Sequence, residues 1–164
     1  MIFEDIAGFA AALPRDRGLM GLDLGTKTIG VALSDRLLSA ASALETVKRV
    51  KFTQDAARLA EIARAREIGG IVLGLPANMD GSEGPRAQST RAFARNLSRL
   101  PEFEGLPITF WDERLSTVAA ERALLEADTS RKRRAEVIDA VAAGYILQGA
   151  LDRLRHLRGI DHDR

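Results

Sequence analysis

The chain has 164 residues, of which 46% are hydrophobic and 29% are charged, a composition typical of one soluble globular domain. It contains no cysteine, which excludes disulfides, zinc-thiolate sites and thiol catalysis. The 24 basic and 23 acidic residues nearly cancel, so the distribution of charge is more informative than its sum.

The first residues predict a short amphipathic helix. Ile2, Ile6 and Phe9 recur at helical spacing, and Pro14 marks the end of the pattern. This segment carries acids early and has no cationic leader, and no apolar run in the chain approaches the length of a membrane span. We therefore expect an N-terminal helical extension over residues 1–17 and a cytoplasmic protein with no membrane partner.

The next segment predicts strands and one helix. Two apolar runs, GLMGLDLG and TIGVALSD, are separated by a turn at residues 25–27, which predicts a β-hairpin. A third strand is predicted near residues 43–47. Residues 52–67 have one apolar face, typical of a helix packed on a sheet. The run IVLGLP at residues 71–76 is continuously apolar, which favours a central strand covered on both faces.

The second half continues the alternation of helices and strands. Asp80 and Gly81 form a turn signal, Ser82 is a candidate helix cap, and Pro85 suits the first turn of the helix that follows. PITFW at residues 107–111 predicts a further strand.

After that strand the sequence predicts two more helices. The first is capped by Ser116 or Thr117 and ends near Ala127, and the last follows a basic run at residues 131–134. The order of elements predicts an α/β layer fold with a mixed sheet covered by helices. We expect one domain over residues 18–155 and a C-terminal tail over residues 156–164.

Three carboxylates occupy unusual positions. Asp23 lies inside a predicted strand, Glu113 follows a strand at the end where α/β sheets usually bind ligands, and Asp139 lies inside an apolar helix. Each has a structural alternative: hydrogen bonds from the turn at 25–27, a surface turn capped by Ser116, or a salt bridge to an arginine. If the three converge, their repulsion calls for a cation, and oxygen ligands favour Mg²⁺ or Mn²⁺. Their spacing does not establish that they meet.

Four segments resemble, in order, the four blocks of the YqgF or RuvX family of Holliday-junction-resolvase-like proteins. They are GLDLGTKTIGVALSD, IVLGLPANMDGSEGP, WDERLST and VIDAVAAGYILQGALD. The resemblance extends from about Gly18 to Asp152. It implies a ribonuclease-H-like fold, with a five-stranded mixed sheet flanked by helices. It also implies that Asp23, Glu113 and Asp139 are the catalytic, metal-binding carboxylates.

The resemblance implies a metal-dependent endonuclease that holds Mg²⁺ or Mn²⁺ and uses water as the nucleophile. The expected substrate is the 5′ end of precursor 16S ribosomal RNA, and the alternative is a four-way DNA junction cut by a resolvase in recombination and repair. A monomer or a weak homodimer is expected, since no residue pattern marks a dimer face. Turn chemistry or helix capping is an alternative role for most of the candidate substrate contacts. These are Thr26, Lys27, Asn78, Arg114, Ser116, Thr117, Arg131 and Lys132.

Two further functions stay open at this stage. DLGTKTIGVAL also resembles the phosphate-binding hairpin of actin-like ATPases and sugar kinases, although 164 residues hold only one of the two domains that these enzymes need. A non-catalytic nucleic-acid-binding module would use the basic run and the arginine-rich helix, with purely structural acids. Divalent-ion binding and cleavage distinguish these possibilities from a nuclease.

Overall fold

The computed structural model describes residues 1–115 and 131–162, in which six strands form one mixed sheet. They are β1 (Ile2–Phe3), β2 (Leu19–Leu24), β3 (Thr28–Ser34), β4 (Ala41–Lys48), β5 (Gly70–Leu75) and β6 (Ile108–Asp112). The strand order is β1-β6-β5-β2-β3-β4. Strands β2, β3 and β4 are antiparallel neighbours, while β2, β5, β6 and β1 run parallel. The predicted mixed sheet is confirmed, with six strands where five were expected.

Four α-helices cover this sheet in the described residues. They are α1 (Ile6–Ala12), α2 (Phe52–Ala65), α3 (Pro85–Ser98) and α4 (Arg131–His162), with single 3-10 turns at Pro101–Phe103 and Glu113–Leu115. Helix α4 continues through residues 156–162, where we expected a tail. None of the helices in the described ranges has the length and apolarity of a membrane span.

The sheet separates two apolar layers, and the side chains of β2 alternate between them. Met20 and Leu22 pack with α2 and α3, whereas Leu19 packs with α4. Successive side chains of a strand point to opposite faces, so Asp23 belongs to the α4 side. Burial of these apolar layers is the main stabilising contribution to the fold.

The N-terminal prediction was wrong in one respect, because the helix begins at Ile6 and not at Ile2. Ile2 and Phe3 form β1, which extends the sheet by pairing in parallel with β6. Asp5 caps α1 by accepting a hydrogen bond from the Gly8 amide at 2.6 Å. Helical spacing within the segment cannot reveal a strand partner more than 100 residues away, which is why the sequence indicated a longer helix.

The cap of α3 also differs from the prediction. The N-cap of that helix is Gly84, while Ser82 bonds to Asp80, with its hydroxyl 2.6 Å from Oδ1. Gly81 has a φ of +89°, which confirms the predicted turn, since that backbone conformation favours glycine. The helix predicted to follow Ser116 or Thr117 lies outside the described residues.

Candidate active site

Asp23 is almost fully buried, with 2% of its surface exposed. It pairs directly with Gly30 of β3, and paired residues in an antiparallel ladder present their side chains on one face. On that face, a β-carbon at Gly30 would overlap the backbone of Asp139 in α4. Asp23 and Asp139 therefore lie on the same side of the sheet, where α4 crosses β2 and β3.

The Asp139 carboxylate lies against the turn that joins β2 to β3. The Thr28 hydroxyl donates a hydrogen bond to Oδ2 of Asp139. A β-carbon at Gly25 would lie 3.1 Å from the same oxygen, so glycine leaves room for the carboxylate. The Gly25 amide also donates to the Thr28 carbonyl at 2.8 Å, which fixes the turn itself.

Glu113 approaches the same face of the sheet from the end of β6. Gly74 of β5 faces α4, because a β-carbon there would contact the Ile146 side chain. That β-carbon would also lie 2.9 Å from Oε1 of Glu113, so this carboxylate lies beside β5 on the α4 side. Glu113 begins the 3-10 turn after β6, at the carboxyl end of three parallel strands. Ligands of α/β sheets usually bind at this end.

All three predicted carboxylates thus lie near the carboxyl ends of the parallel strands, on the face of the sheet that α4 covers. Among the side chains that the structure describes, however, no three His, Asp or Glu residues are arranged so that they could hold one metal ion. The donors are all carboxylate oxygens, which suits Mg²⁺ or Mn²⁺. A cation would also offset the repulsion between neighbouring carboxylates. The chemistry of the donors fits such an ion.

Arg114 connects the end of β6 to the loop that precedes α3. Its Nη2 donates to Oδ2 of Asp112 at 2.6 Å, and its Nη1 donates to the Met79 carbonyl at 3.4 Å. The hydrogen bond from Arg114 lowers the pKa of Asp112. The Ser82 hydroxyl is the main cause of the lowered pKa of Asp80, to which the Arg114 charge also contributes. Asp112 therefore stays ionised as the partner of Arg114, while its neighbour Glu113 faces α4.

The other predicted substrate contacts are only partly described. Thr26 and Lys27 are exposed at the tip of the β2–β3 hairpin. Asn78 donates to the Ser82 hydroxyl at 3.0 Å, so turn chemistry accounts for its position. Four contacts lie outside what the structure describes: Ser116, Thr117 and the side chains of Arg131 and Lys132.

Sequence reasoning did not identify the residues that position Asp139. Thr28 provides its hydrogen bond, and Gly25 and Gly30 leave the space that the carboxylate and the helix backbone need. Gly74 has the same role beside Glu113. A signal was present, because glycine inside a strand often marks close approach of another backbone or a ligand. Gly30 and Gly74 both interrupt apolar strands, so this rule would have selected them.

Comparison with known proteins shows extensive similarity along the chain. Residues 17–153 match the family model described as "RuvX: Holliday junction resolvase". A protein from Jannaschia sp. is 74% identical over 160 residues, covering 98% of this chain and 100% of the relative. One from Roseobacter denitrificans is 75% identical over 158 residues, covering 96% of each chain. Both relatives carry the name "Putative pre-16S rRNA nuclease".

A solved structure shows the same arrangement of sheet and helices. T. thermophilus RuvC, in complex with a Holliday junction substrate, is similar with a TM-score of 0.50 over 85% of this chain and 96% of that one. The two sequences are 14% identical, a level at which the similarity concerns the fold. The expected ribonuclease-H-like fold is therefore confirmed.

Proposed function

This chain belongs to the RuvX family, and we propose that it is a divalent-metal-dependent endonuclease that hydrolyses phosphodiester bonds in precursor 16S ribosomal RNA. The names of relatives that are 74% and 75% identical support the substrate. The observation that carries the activity is the contact of Asp139 with the β2–β3 turn, on the face to which Asp23 belongs.

The proposed roles follow from the chemistry of the carboxylates. Asp23, Glu113 and Asp139 would hold the ion or ions. A bound Mg²⁺ or Mn²⁺ lowers the pKa of water and stabilises the charge that develops on the leaving 3′-oxygen. The contribution of the chain is positional: Thr28 orients the Asp139 carboxylate, and Gly25 leaves room for it beside the turn. No side-chain nucleophile is required, since water attacks the phosphorus atom.

Positive side chains around this edge would position the substrate. Lys27 is exposed next to Thr28, and Arg114 lies at the end of β6 beside Glu113. Contacts to phosphates fix the register of a nucleic acid without reading its sequence. We propose that both residues contact phosphates on either side of the cleaved bond, and that the basic start of α4, at Arg131 and Lys132, contacts the backbone further away.

Cleavage of a four-way DNA junction is the second candidate activity. It is favoured by the description of the family model that matches residues 17–153. The same carboxylates would serve it, because both reactions hydrolyse a phosphodiester bond. Only the substrate assay separates the two activities.

The test compares two substitutions in one helix. Asp139→Asn removes a proposed ligand, whereas Asp152→Asn removes an exposed carboxylate of α4 that bonds to Gln148 and Arg155. Each purified variant is incubated with RNA that spans the 5′ end of 16S ribosomal RNA, and with a four-way DNA junction, in Mg²⁺ or Mn²⁺. We expect Asp139→Asn to reduce cleavage at least about 100-fold, since loss of a ligand exceeds the 10- to 100-fold effect of outer-shell changes. Asp152→Asn should cleave like the unchanged protein.

Equal cleavage by the two variants would contradict the assigned site. Mn²⁺ titration by calorimetry adds an independent measurement, in which Asp139→Asn should bind the ion more weakly than Asp152→Asn. Circular dichroism checks that both variants are folded. If neither nucleic acid is cut and no divalent ion binds, the nuclease proposal is wrong and a binding module becomes the better explanation.

A further inference from the structure

Four basic residues lie together at the edge of the sheet that borders the candidate site. Lys27 is in the β2–β3 turn, Lys48 ends β4, and Arg49 and Lys51 lie between β4 and α2. We call these four residues the basic strip. The sequence contains only four lysines, and three of them are in the strip, although basic residues occur along the whole chain.

The strip is adjacent to the Asp139 carboxylate. The β3–β4 register pairs Lys48 with Thr28, so the two side chains share a face of the sheet. Thr28 is the residue whose hydroxyl contacts the Asp139 carboxylate. Neighbouring strands are about 4.8 Å apart. Lys48 therefore lies one strand away from the Asp139 contact, on the side of the sheet that α4 covers.

Arg49 fixes the strip to the turn beside Asp139. Its Nη1 donates to the Gly25 carbonyl at 2.6 Å, and its backbone amide donates to the Lys27 carbonyl at 2.9 Å. Its guanidinium also lies 5.8 Å from the centre of the Phe93 ring, within reach of a cation–π interaction. Ligand binding therefore costs little additional ordering of this part of the strip.

Two acids flank the strip in sequence, Glu45 and Asp55, and Asp55 is buried and accepts a hydrogen bond from the Val50 amide at 3.1 Å. All three lysines are exposed, and within the described parts of the chain none of them forms an ion pair. Glu45, three residues before Lys48, is bound to Arg58. The arginines with described ion pairs are Arg36, Arg58, Arg91, Arg114 and Arg155. The strip thus presents three exposed lysines close to the contact between Thr28 and Asp139.

We infer that the basic strip binds the sugar-phosphate backbone of the nucleic acid as it leaves the candidate site across β3 and β4. The inference rests on the proposed function, since it assigns the strip a part of the same substrate. Lysine suits this role because its ammonium is a compact charge on a flexible stem that contacts phosphates without requiring one geometry. Such contacts supply the salt-dependent part of binding.

The test measures binding and not cleavage, so a negative result for the strip can be distinguished from a negative result for the proposed nuclease activity. The full-length protein is titrated in EDTA against a fluorescein-labelled RNA hairpin with a single-stranded tail, and against the same sequence in DNA. Fluorescence anisotropy gives Kd at several KCl concentrations. The test variant is Lys48→Gln with Lys51→Gln. The control is Arg64→Gln with Arg66→Gln, which removes the same charge from exposed residues at the opposite end of α2.

Loss of two phosphate contacts should lower the slope of log Kd against log salt by about 1.4 to 1.8. Between about 50 and 200 mM KCl, the test variant should therefore lose about 7 to 12 times less affinity than the unchanged protein. The control should keep the original slope. Equal slopes in the two double variants, or no binding of either probe by the unchanged protein, would overturn the inference.

Lysine acetylation provides a second measurement that does not depend on variants. The protein is treated with an acetylating reagent with and without the RNA hairpin, and modification is read by mass spectrometry. Lys27, Lys48 and Lys51 should be protected together by the RNA. Unchanged modification of all three in a protein that binds the hairpin would contradict the assignment, even if the same protein cleaves RNA normally.

Discussion

Gly30→Ala tests the close packing of α4 on the sheet. The added β-carbon would lie 2.7 Å from the Ala140 nitrogen, and still closer to the carbonyl group of Asp139. Ordinary contacts begin at 3.4 Å, so a separation of about 0.7 Å would relieve only the Ala140 contact, and the closer contact with the Asp139 carbonyl needs a larger one. Overpacking costs about 1–3 kcal/mol, and we expect the upper end because both partners are backbone atoms. Asp139 would move with the helix, so nuclease activity should fall as well.

Urea unfolding followed by circular dichroism measures this cost. With a slope of about 2 kcal/mol per molar urea, a loss of about 3 kcal/mol lowers the midpoint by about 1.5 M. Gly144→Ala is the matched control, because its β-carbon would meet nothing closer than the Ala43 nitrogen at 3.9 Å. Alanine in a helix interior should stabilise the protein by up to about 1 kcal/mol. An unchanged midpoint for Gly30→Ala would refute the packing that places Asp139 against β3.

Three other substitutions test interactions around the site and the fold. Thr28→Val removes the hydroxyl that orients Asp139 and should lower kcat about 10-fold. Thr28→Ser keeps a hydroxyl and should retain most of the activity. Equal kcat values for the two variants would show that the hydroxyl has no role in the reaction. Hydrogen bonds from Ala40 and Ser39 lower the pKa of Asp35 from its ordinary value near 3.8 to about 2. The ionised Asp35 therefore stabilises the folded protein fully above pH 3.8, and this stabilisation is lost as the pH falls towards 2. The stability difference between the unchanged protein and Asp35→Asn, measured by thermal unfolding, should therefore shrink between pH 4 and pH 2; a constant difference contradicts this linkage. Arg91→Lys keeps the charge but loses the paired hydrogen bonds to Glu83. The free energy of unfolding, measured by urea titration, should fall by about 1 kcal/mol, and an unchanged value would mean that solvent fully screens the pair.

Local patterns predicted most of the fold because they depend on short stretches of chain. Apolar continuity identified β5, and the turn at residues 25–27 identified the hairpin of β2 and β3. The same reasoning failed for β1, since the pairing of Ile2 with Ile108 is a contact between distant segments. It also misplaced the cap of α3, because Ser82 bonds within its own loop.

The candidate site likewise combines features that the sequence predicts with features that depend on tertiary contacts. The sequence by itself determined which residues are chemically unusual: Asp23 in a strand and Asp139 in an apolar helix have no ordinary place there, because burial of a carboxylate is costly. It also determined the family, through four motifs in order. Only the tertiary structure decided that Asp139 lies against the β2–β3 turn and that Glu113 lies on the same face. Those positions depend on how closely α4 approaches the sheet, which is set by packing against distant glycines and not by any local pattern.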